Sequence, residues 1–342
     1  MSTPAFTTAV TQARDLLRWR SPLRTELWAS RLMGGLDPAD ARGLVRELVE
    51  AGTPEGRLTL AALAAVATPD AVDAQADAAP AGEPPLADLY AAHGAEARDA
   101  LPGWVARMGQ VECDGAWYGK ADRHGLQALA ALSFHYRSGK EPHLLVVAVD
   151  QVNGGLAVDA LVEERKFLDD LSLEPSEPRA VAGRILDAVE LTDRVMGAAV
   201  VDTFPGMRPF ALARARSVPD PVRPAPEDTL SRFHDLPALP GAEEAFAKLV
   251  EFIGDRPLWW SPGRVSQLLT SWLPREAMLS PDAIAAMPDV VRAWSHFAGA
   301  DPEVLRQVDA DAPRLAALMA DESLAGLGKR LARSRPRDED EG

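Results

Sequence analysis

A capping residue followed directly by proline recurs along the chain and fixes where helices begin. The side-chain oxygen of the first residue can accept a hydrogen bond from the first helical turn, and proline supplies a preset φ where no N–H is needed. Each pair therefore predicts a helix start. The first residues of these pairs are Thr3, Ser21, Asp37, Thr53, Ser261, Ser280 and Asp301.

Apolar residues behind these pairs repeat with helical spacing. One predicted helix face carries Phe6, Val10, Ala13 and Leu17, and another carries Leu44, Val45 and Leu48, with Gly52 as the expected C-terminal stop. Residues 1–67 are therefore predicted to be an N-terminal helical region of four short helices. The same signals predict a C-terminal helical region over residues 241–335.

The period changes to two between residues 111 and 162. Apolar side chains alternate with polar ones through Leu126, Ala128, Ala130, Leu132, Phe134 and Tyr136. The run HLLVVAV, residues 143–149, is continuously apolar and suits a central strand. We predict a four-strand antiparallel meander, with helices from EERKFLDDL and EPRAVAGRILDAVELTDRVMG covering one face. The predicted fold class is α+β and predominantly helical.

Segments of irregular composition separate these regions. Residues 68–85 are predicted to be a mobile acidic linker rich in Ala and Pro, and residues 86–198 a central α+β module that includes the meander. Residues 199–240 are Pro-rich and predicted to be an irregular connection, with a short helix near PFALARARS. Residues 336–342 form a charged tail.

Composition excludes several classes of protein. The net charge of −15 argues against a general duplex-DNA binder, so nucleic acid is not an expected partner. Cys113 is the only cysteine, which excludes an internal disulfide and a multi-cysteine metal site. No run of about 18 apolar residues predicts a membrane span, and the N-terminus does not have the pattern of a secretory signal. We expect a soluble cytoplasmic protein without a membrane partner.

The stretch RPLWWSPGRVSQLLTSWLPREAML, residues 256–279, holds three of the eight tryptophans. Val265, Leu268, Leu269 and Trp272 form one helical stripe, and Pro274 is expected to end the helix near residue 273. Tryptophan can also stack on single-stranded nucleic acid, but few cations lie nearby. We therefore interpret this stretch as core, with an exposed aromatic platform as the alternative.

No common nucleotide-binding, zincin or hydrolase motif is present, and the six histidines do not form a local metal clip. Weak catalytic candidates lie in the meander: His143, Asp150, Asp159 and Glu163. Pairing Asp150 with Leu156 would place Val147 opposite Asp159 and His143 opposite Glu163. Asp150 would then lie on one sheet face and the other three on the opposite face, unless a bulge at Gly154–Gly155 changed the register.

Two other segments contain residues of a type that can react with or bind a partner, a cysteine in one and a run of cations in the other. Cys113 lies between two acidic residues, which would raise its thiol pKa and oppose a nucleophilic role. The basic stretch GLGKRLARSR, residues 326–335, places Leu327 and Leu331 on one side of a helix. It could contact nucleic acid or an acidic partner, or its cations could simply complement the end of a helix.

The segments SPLRTELWASRLMGGL, EPHLLVVAVDQVNGGLAVDALVEE and WWSPGRVSQLLTSWLPREAML resemble a group of actinobacterial proteins to which no activity is assigned. The resemblance implies an actinobacterial cytoplasmic origin and carries no residue roles.

The leading hypothesis is a non-enzymatic binding or interaction protein with a protein or small-molecule partner and no cofactor or metal. Its oligomeric state is left open. The first alternative is a metal-dependent hydrolase or nuclease that uses the carboxylates of the sheet. The second is a nucleic-acid-associated factor that acts through the C-terminal helices.

Overall fold

The four predicted N-terminal helices all form, and each begins at its capping residue. The computed structural model describes residues 3–68, 84–223, 232–254, 256 and 259–334. Side-chain oxygens of Thr3, Ser21, Asp37 and Thr53 accept hydrogen bonds from backbone N–H groups of the first turns, and Gly52 ends its helix at φ 57°. The helices are α1 (Pro4–Trp19), α2 (Pro22–Gly34), α3 (Pro38–Ala51) and α4 (Pro54–Val66).

Most of the predicted linker, residues 69–83, lies outside the described residues, as does the predicted tail. The remaining helices, in chain order, are α5 (Leu86–Asp99), α6 (Pro178–Arg194), α7 (Phe204–Ser217), α8 (Ala242–Ile253), α9 (Pro262–Gln267), α10 (Leu273–Glu276), α11 (Pro281–Phe297), α12 (Pro302–Ala320) and α13 (Leu327–Ser334). The structure thus confirms the predominantly helical α+β class. Among the described residues, no helix is both long and apolar enough to span a membrane.

The predicted meander also forms. Its strands are β1 (Val111–Lys120), β2 (Gln127–Tyr136), β3 (His143–Asp150) and β4 (Leu156–Glu163), in the order β4-β3-β2-β1-β5. The fifth strand, β5 (Glu174–Pro175), pairs antiparallel with the outer side of β1. Two residues are too few to show a period, which is why the sequence did not predict this strand.

Both faces of the sheet are covered, although by different elements. Leu145 and Val147 join the main core together with Val181 and Ile185 of α6. On the other face, Leu144 and Val146 form a smaller cluster with Phe167, Leu168 and Leu173. The prediction that both segments after β4 cover one face was therefore wrong. EERKFLDDL contains a short 3₁₀ helix, Arg165–Asp170, and packs on the face opposite α6.

Helix α7 lies in the segment predicted to be an irregular connection and is longer than the short helix expected there. It packs tightly on α2: a Cβ at Gly34 would lie 2.2 Å from the Pro205 carbonyl oxygen. Ser30 Oγ donates to the Gly206 carbonyl oxygen at 2.7 Å and accepts from the Phe210 N–H at 3.0 Å. These contacts offset the low helix propensity of a Pro- and Gly-containing segment.

The described chain divides into two compact units. The first comprises residues 1–119 and 128–224, so the N-terminal helices and nearly all of the sheet belong together. The second comprises residues 120–127 and 225–342. Its core contains Trp260 and Trp294, each 1% exposed, with an aromatic cluster of Phe233, Phe246 and Phe297 around Trp294. The interpretation of the tryptophan-rich stretch as core is confirmed for Trp260.

The helix that begins at Pro262 does not end before Pro274, contrary to expectation. A π-helical turn, Leu268–Trp272, follows α9, and α10 then continues to Glu276. Pro274 is the second residue of α10 and directly follows the π-helical turn, where the Leu273 N–H donates to the Leu268 carbonyl oxygen five residues back. The chain therefore passes the proline through a widened turn without ending the helix.

Candidate functional site

The four residues predicted as weak catalytic candidates are held on β3 and β4, but in a different register from the expected one. Asp150 pairs with Leu156 as expected, whereas Asp159 lies opposite Ala148 and Glu163 lies opposite Leu144. The register changes between Ala148 and Val149, where β4 contains one extra residue. A β-bulge of this kind shifts every later pair by one position.

This shift changes which of the four candidates lies alone on its face of the sheet. Directly opposed residues share a face and neighbours along a strand alternate. Asp150, Asp159 and Glu163 therefore lie on one face, and His143 lies on the other. The expectation that Asp150 would stand apart from the other three was wrong, because the bulge occurs within β4 and not in the turn.

The three carboxylates on the shared face have separate local roles. Asp150 accepts from the Val152 and Asn153 N–H groups at 2.9 and 3.2 Å, and from the Asn153 side-chain amide at 2.6 Å, which closes the β3–β4 turn. Asp159 accepts from the Ala160 N–H at 2.8 Å, and Glu163 is exposed. Within the described chain, no three His, Cys, Asp or Glu side chains are grouped so as to hold a metal ion.

His143 belongs to a buried network with Glu26, Tyr136 and Arg214, and none of these four residues is more than 1% exposed. Arg214 forms an ion pair with Glu26, donates to the Tyr136 hydroxyl at 3.1 Å and donates to His143 Nε2 at 3.0 Å. Tyr136 in turn donates to Glu26 at 2.9 Å. The buried network thus joins α2, β2, β3 and α7 inside the first unit.

These contacts fix the protonation state of His143. A guanidinium group can only donate, so Nε2 of His143 must accept and its proton must be on Nδ1. Nδ1 lies 2.8 Å from the Glu141 carbonyl oxygen, which accepts that proton. Burial, followed by the positive charge of Arg214, lowers the pKa of His143 to about 4. Burial and the negative charge of Glu26 raise the pKa of Tyr136.

Acid is therefore expected to destabilise the first unit through His143. The unfolded chain binds this proton near pH 6.5 and the folded chain only near 4, so the stabilisation is complete above pH 6.5 and is lost as the pH falls towards 4. The difference between the two pKa values corresponds to about 3 kcal/mol in the free energy of unfolding.

Between pH 7.5 and 4.5, the free energy of unfolding of His143→Gln should fall by about 2–3 kcal/mol less than that of the native protein, measured by urea unfolding. Glutamine can still accept from Arg214 through its side-chain oxygen, and it takes up no proton in this pH range. Equal pH dependence in the two proteins would contradict the assignment of a neutral buried histidine.

A more accessible feature is the groove between α1 and α2, which we call the α1–α2 groove. It has a volume of about 460 Å³. One wall is formed by Gln12, Asp15, Leu16 and Trp19 of α1, and the other by Arg24, Leu27, Trp28 and Arg31 of α2. Both sets have the spacing i, i+3, i+4, i+7, so each wall is a single helix face.

Two tryptophans give the α1–α2 groove its aromatic character. Trp19 is 60% exposed, and the Arg24 guanidinium lies 5.3 Å from the centroid of its ring. Trp28 is half-buried and donates from its indole nitrogen to the Gln12 side-chain oxygen at 2.6 Å. One large aromatic surface therefore faces solvent beside a cation, and the other is held in place by a hydrogen bond.

The groove is also positively charged within an acidic protein. Residues 3–34 contain five arginines and two acidic residues, Asp15 and Glu26. Arg14 pairs with Glu55, and the Glu141 carboxylate accepts from the Ser21 hydroxyl at the start of α2. Glu26 is consumed by the buried network, and Asp15 lies 3.6 Å from Arg18. Within the described part of the chain, neither Arg24 nor Arg31 has a carboxylate at ion-pair distance. Their charges face the groove and solvent.

The sequence analysis did not single out these residues. Their signal is RDLLRWRSPLR, residues 14–24, a basic run in a chain of net charge −15. The sequence analysis identified only the apolar faces of the N-terminal helices, and the packing shows which side of each helix remains uncovered. In the basic C-terminal stretch, Lys329 of α13 is buried and donates to the Pro274 carbonyl oxygen at 2.8 Å. Leu327 and Leu331 are exposed.

No protein-family model, curated protein or solved structure matches this chain. The assignment of a function therefore depends on the geometry alone.

Proposed function

We propose that this is a cytoplasmic, non-enzymatic binding protein whose ligand site is the α1–α2 groove. The observation that carries the proposal is the exposed Trp19 ring beneath the Arg24 guanidinium, in a groove whose arginines have no acidic partner among the described residues. The cytoplasmic location accords with a chain of 342 residues that has a single cysteine.

The lining of the groove defines the chemistry of its ligand. Leu16, Leu27 and the two tryptophans offer apolar surface that would gain free energy on leaving water. Arg24 and Arg31 add positive charge, and a guanidinium already stacked on a ring retains donors for an anion. A ligand with an apolar body and at least one negative charge satisfies both sets of residues.

Titration with 1-anilinonaphthalene-8-sulfonate, an aromatic anion that fluoresces on leaving water, tests this proposal. We expect the native protein to bind it saturably, and Trp19→Ala and Arg24→Gln each to weaken binding by at least about fivefold, since each removes roughly 1 kcal/mol of contact.

The matched control is Arg46→Gln, on α3, which lines a separate groove of about 310 Å³ beside α5. It should bind the dye as the native protein does. Binding that is unchanged in the Trp19 and Arg24 variants, or that is lost in the Arg46 variant instead, would contradict the proposal.

A further inference from the structure

We infer that the occupant of the α1–α2 groove is an amphipathic helix of a partner protein, lying along α2 with its carboxylates towards Arg24 and Arg31. This inference depends on the proposed function, because it names the partner of the same site. The helical periodicity of both walls and the placement of the charges support it.

The groove presents helical periodicity on both sides. Its two walls are stripes that each run from residue i to i+7 on consecutive helices joined by a short turn, and the two helices approach each other closely at only a few positions. Seven residues correspond to about 10 Å along a helix axis, so both walls run for two turns. Two neighbouring helices leave a groove into which the side chains of a third helix can insert.

Arg31 marks the end of the groove along α2. It also lines a second cavity, of about 390 Å³, where α7 begins, but α7 covers the last turn of α2, since a Cβ at Gly34 would lie 2.2 Å from the Pro205 carbonyl oxygen. The uncovered positions of α2 therefore run from Arg24 to Arg31. Seven steps along a helix span about 10 Å, which accommodates two turns of a partner helix.

The charges set the orientation of the occupant. Arg24 and Arg31 are seven residues apart on α2, so carboxylates seven residues apart on an adjacent helix have the matching separation. The opposite wall carries Asp15, which pairs with Arg18, and Asp202 lies in the second cavity beyond Arg31. Acidic side chains on the occupant are therefore favoured beside Arg24 and Arg31 and disfavoured at the ends.

Tryptophan and arginine side chains could also take up the bases and phosphates of a single-stranded nucleic acid. The acidic charge of the whole chain opposes that occupant over longer distances. The helical periodicity of both walls likewise favours a helix, so nucleic acid becomes an outcome of the test.

The experiment measures fluorescence anisotropy with labelled synthetic helical peptides of about sixteen residues, long enough to cover the groove. The first peptide has leucine along one face and pairs of glutamates seven residues apart beside it. The second is a scrambled sequence of the same composition, and the third has lysine in place of each glutamate. We expect the first peptide to bind at least about tenfold more tightly than the other two, because charge complementarity at a specific interface can supply that difference.

A charge exchange provides the sharper readout. The double variant Arg24→Glu/Arg31→Glu should no longer bind the glutamate peptide and should bind the lysine peptide instead. Misfolding cannot produce such an exchange of preference. Its control, Arg46→Glu/Arg57→Glu on α3 and α4, changes the net charge equally outside the groove and should keep the native preference.

Three results would overturn the inference. They are equal binding of the scrambled peptide, no binding of any peptide, and tighter binding of an oligothymidylate that the double variant abolishes. In each case, dye binding that still depends on Trp19 and Arg24 leaves the proposed function standing. Loss of that dependence removes the proposed function itself.

Discussion

Arg214→Ala is expected to lower the free energy of unfolding of the first unit by about 3–5 kcal/mol, the usual cost of leaving a buried charge unpaired. The substitution removes the ion-pair partner of Glu26, which is 0% exposed. It also removes the donors to Tyr136 and His143. The side chain further packs 4.2 Å from the centroid of Phe210, so an alanine would leave a cavity as well.

Urea unfolding at pH 7.5 measures this effect, with Glu26→Gln/Arg214→Met as the matched variant. The introduced glutamine would be neutral and could still accept from the Gly109 N–H, which donates to Glu26 at 2.6 Å. The double variant should therefore be more stable than Arg214→Ala alone, since it leaves no uncompensated charge. A loss below about 1 kcal/mol for Arg214→Ala would show that the charge is hydrated in solution.

The second large effect is expected in the other unit. Trp260→Ala should destabilise that unit by about 3–5 kcal/mol, the range for removing a fully buried large aromatic side chain. Trp260 is 1% exposed, and its indole nitrogen donates to Ser295 Oγ at 2.9 Å. Ser295 lies in α11 and is itself fully buried.

Hydrogen exchange of the α11 amides measures this change within the affected unit, where a global melting temperature could combine two transitions. Trp19→Ala is the control, because Trp19 is largely exposed and its loss should cost less than about 1 kcal/mol. Unaltered protection of α11 in Trp260→Ala would contradict the assignment of Trp260 to the core.

Local signals in the sequence predicted the helix starts well. Every cap-and-proline pair named at the outset begins a helix in which the capping side chain accepts a backbone hydrogen bond. Alternation located β2 and a continuous apolar run located β3 for the same reason, since both patterns depend only on the strand itself. Features of this kind are encoded within a few residues.

Features set by packing between distant segments could not be predicted in this way. The extra residue in β4 has no glycine or proline to mark it, yet it moves Asp159 to the face opposite His143. Arg214 lies in the short helix predicted near PFALARARS, but its burial and its ion pair with Glu26 depend on residues far away in the chain. The α1–α2 groove depends on which faces of α1 and α2 remain uncovered, and helical spacing alone does not reveal that.

Fluorine NMR of protein labelled with 5-fluorotryptophan tests the central claim most directly, because the eight tryptophans report on both units at once. On addition of the glutamate peptide, we predict that the resonances of Trp19 and Trp28 shift saturably. Those of the buried Trp260 and Trp294 should remain unchanged. Unchanged Trp19 and Trp28 resonances, with shifts at tryptophans elsewhere, would contradict the assignment of the α1–α2 groove as the ligand site.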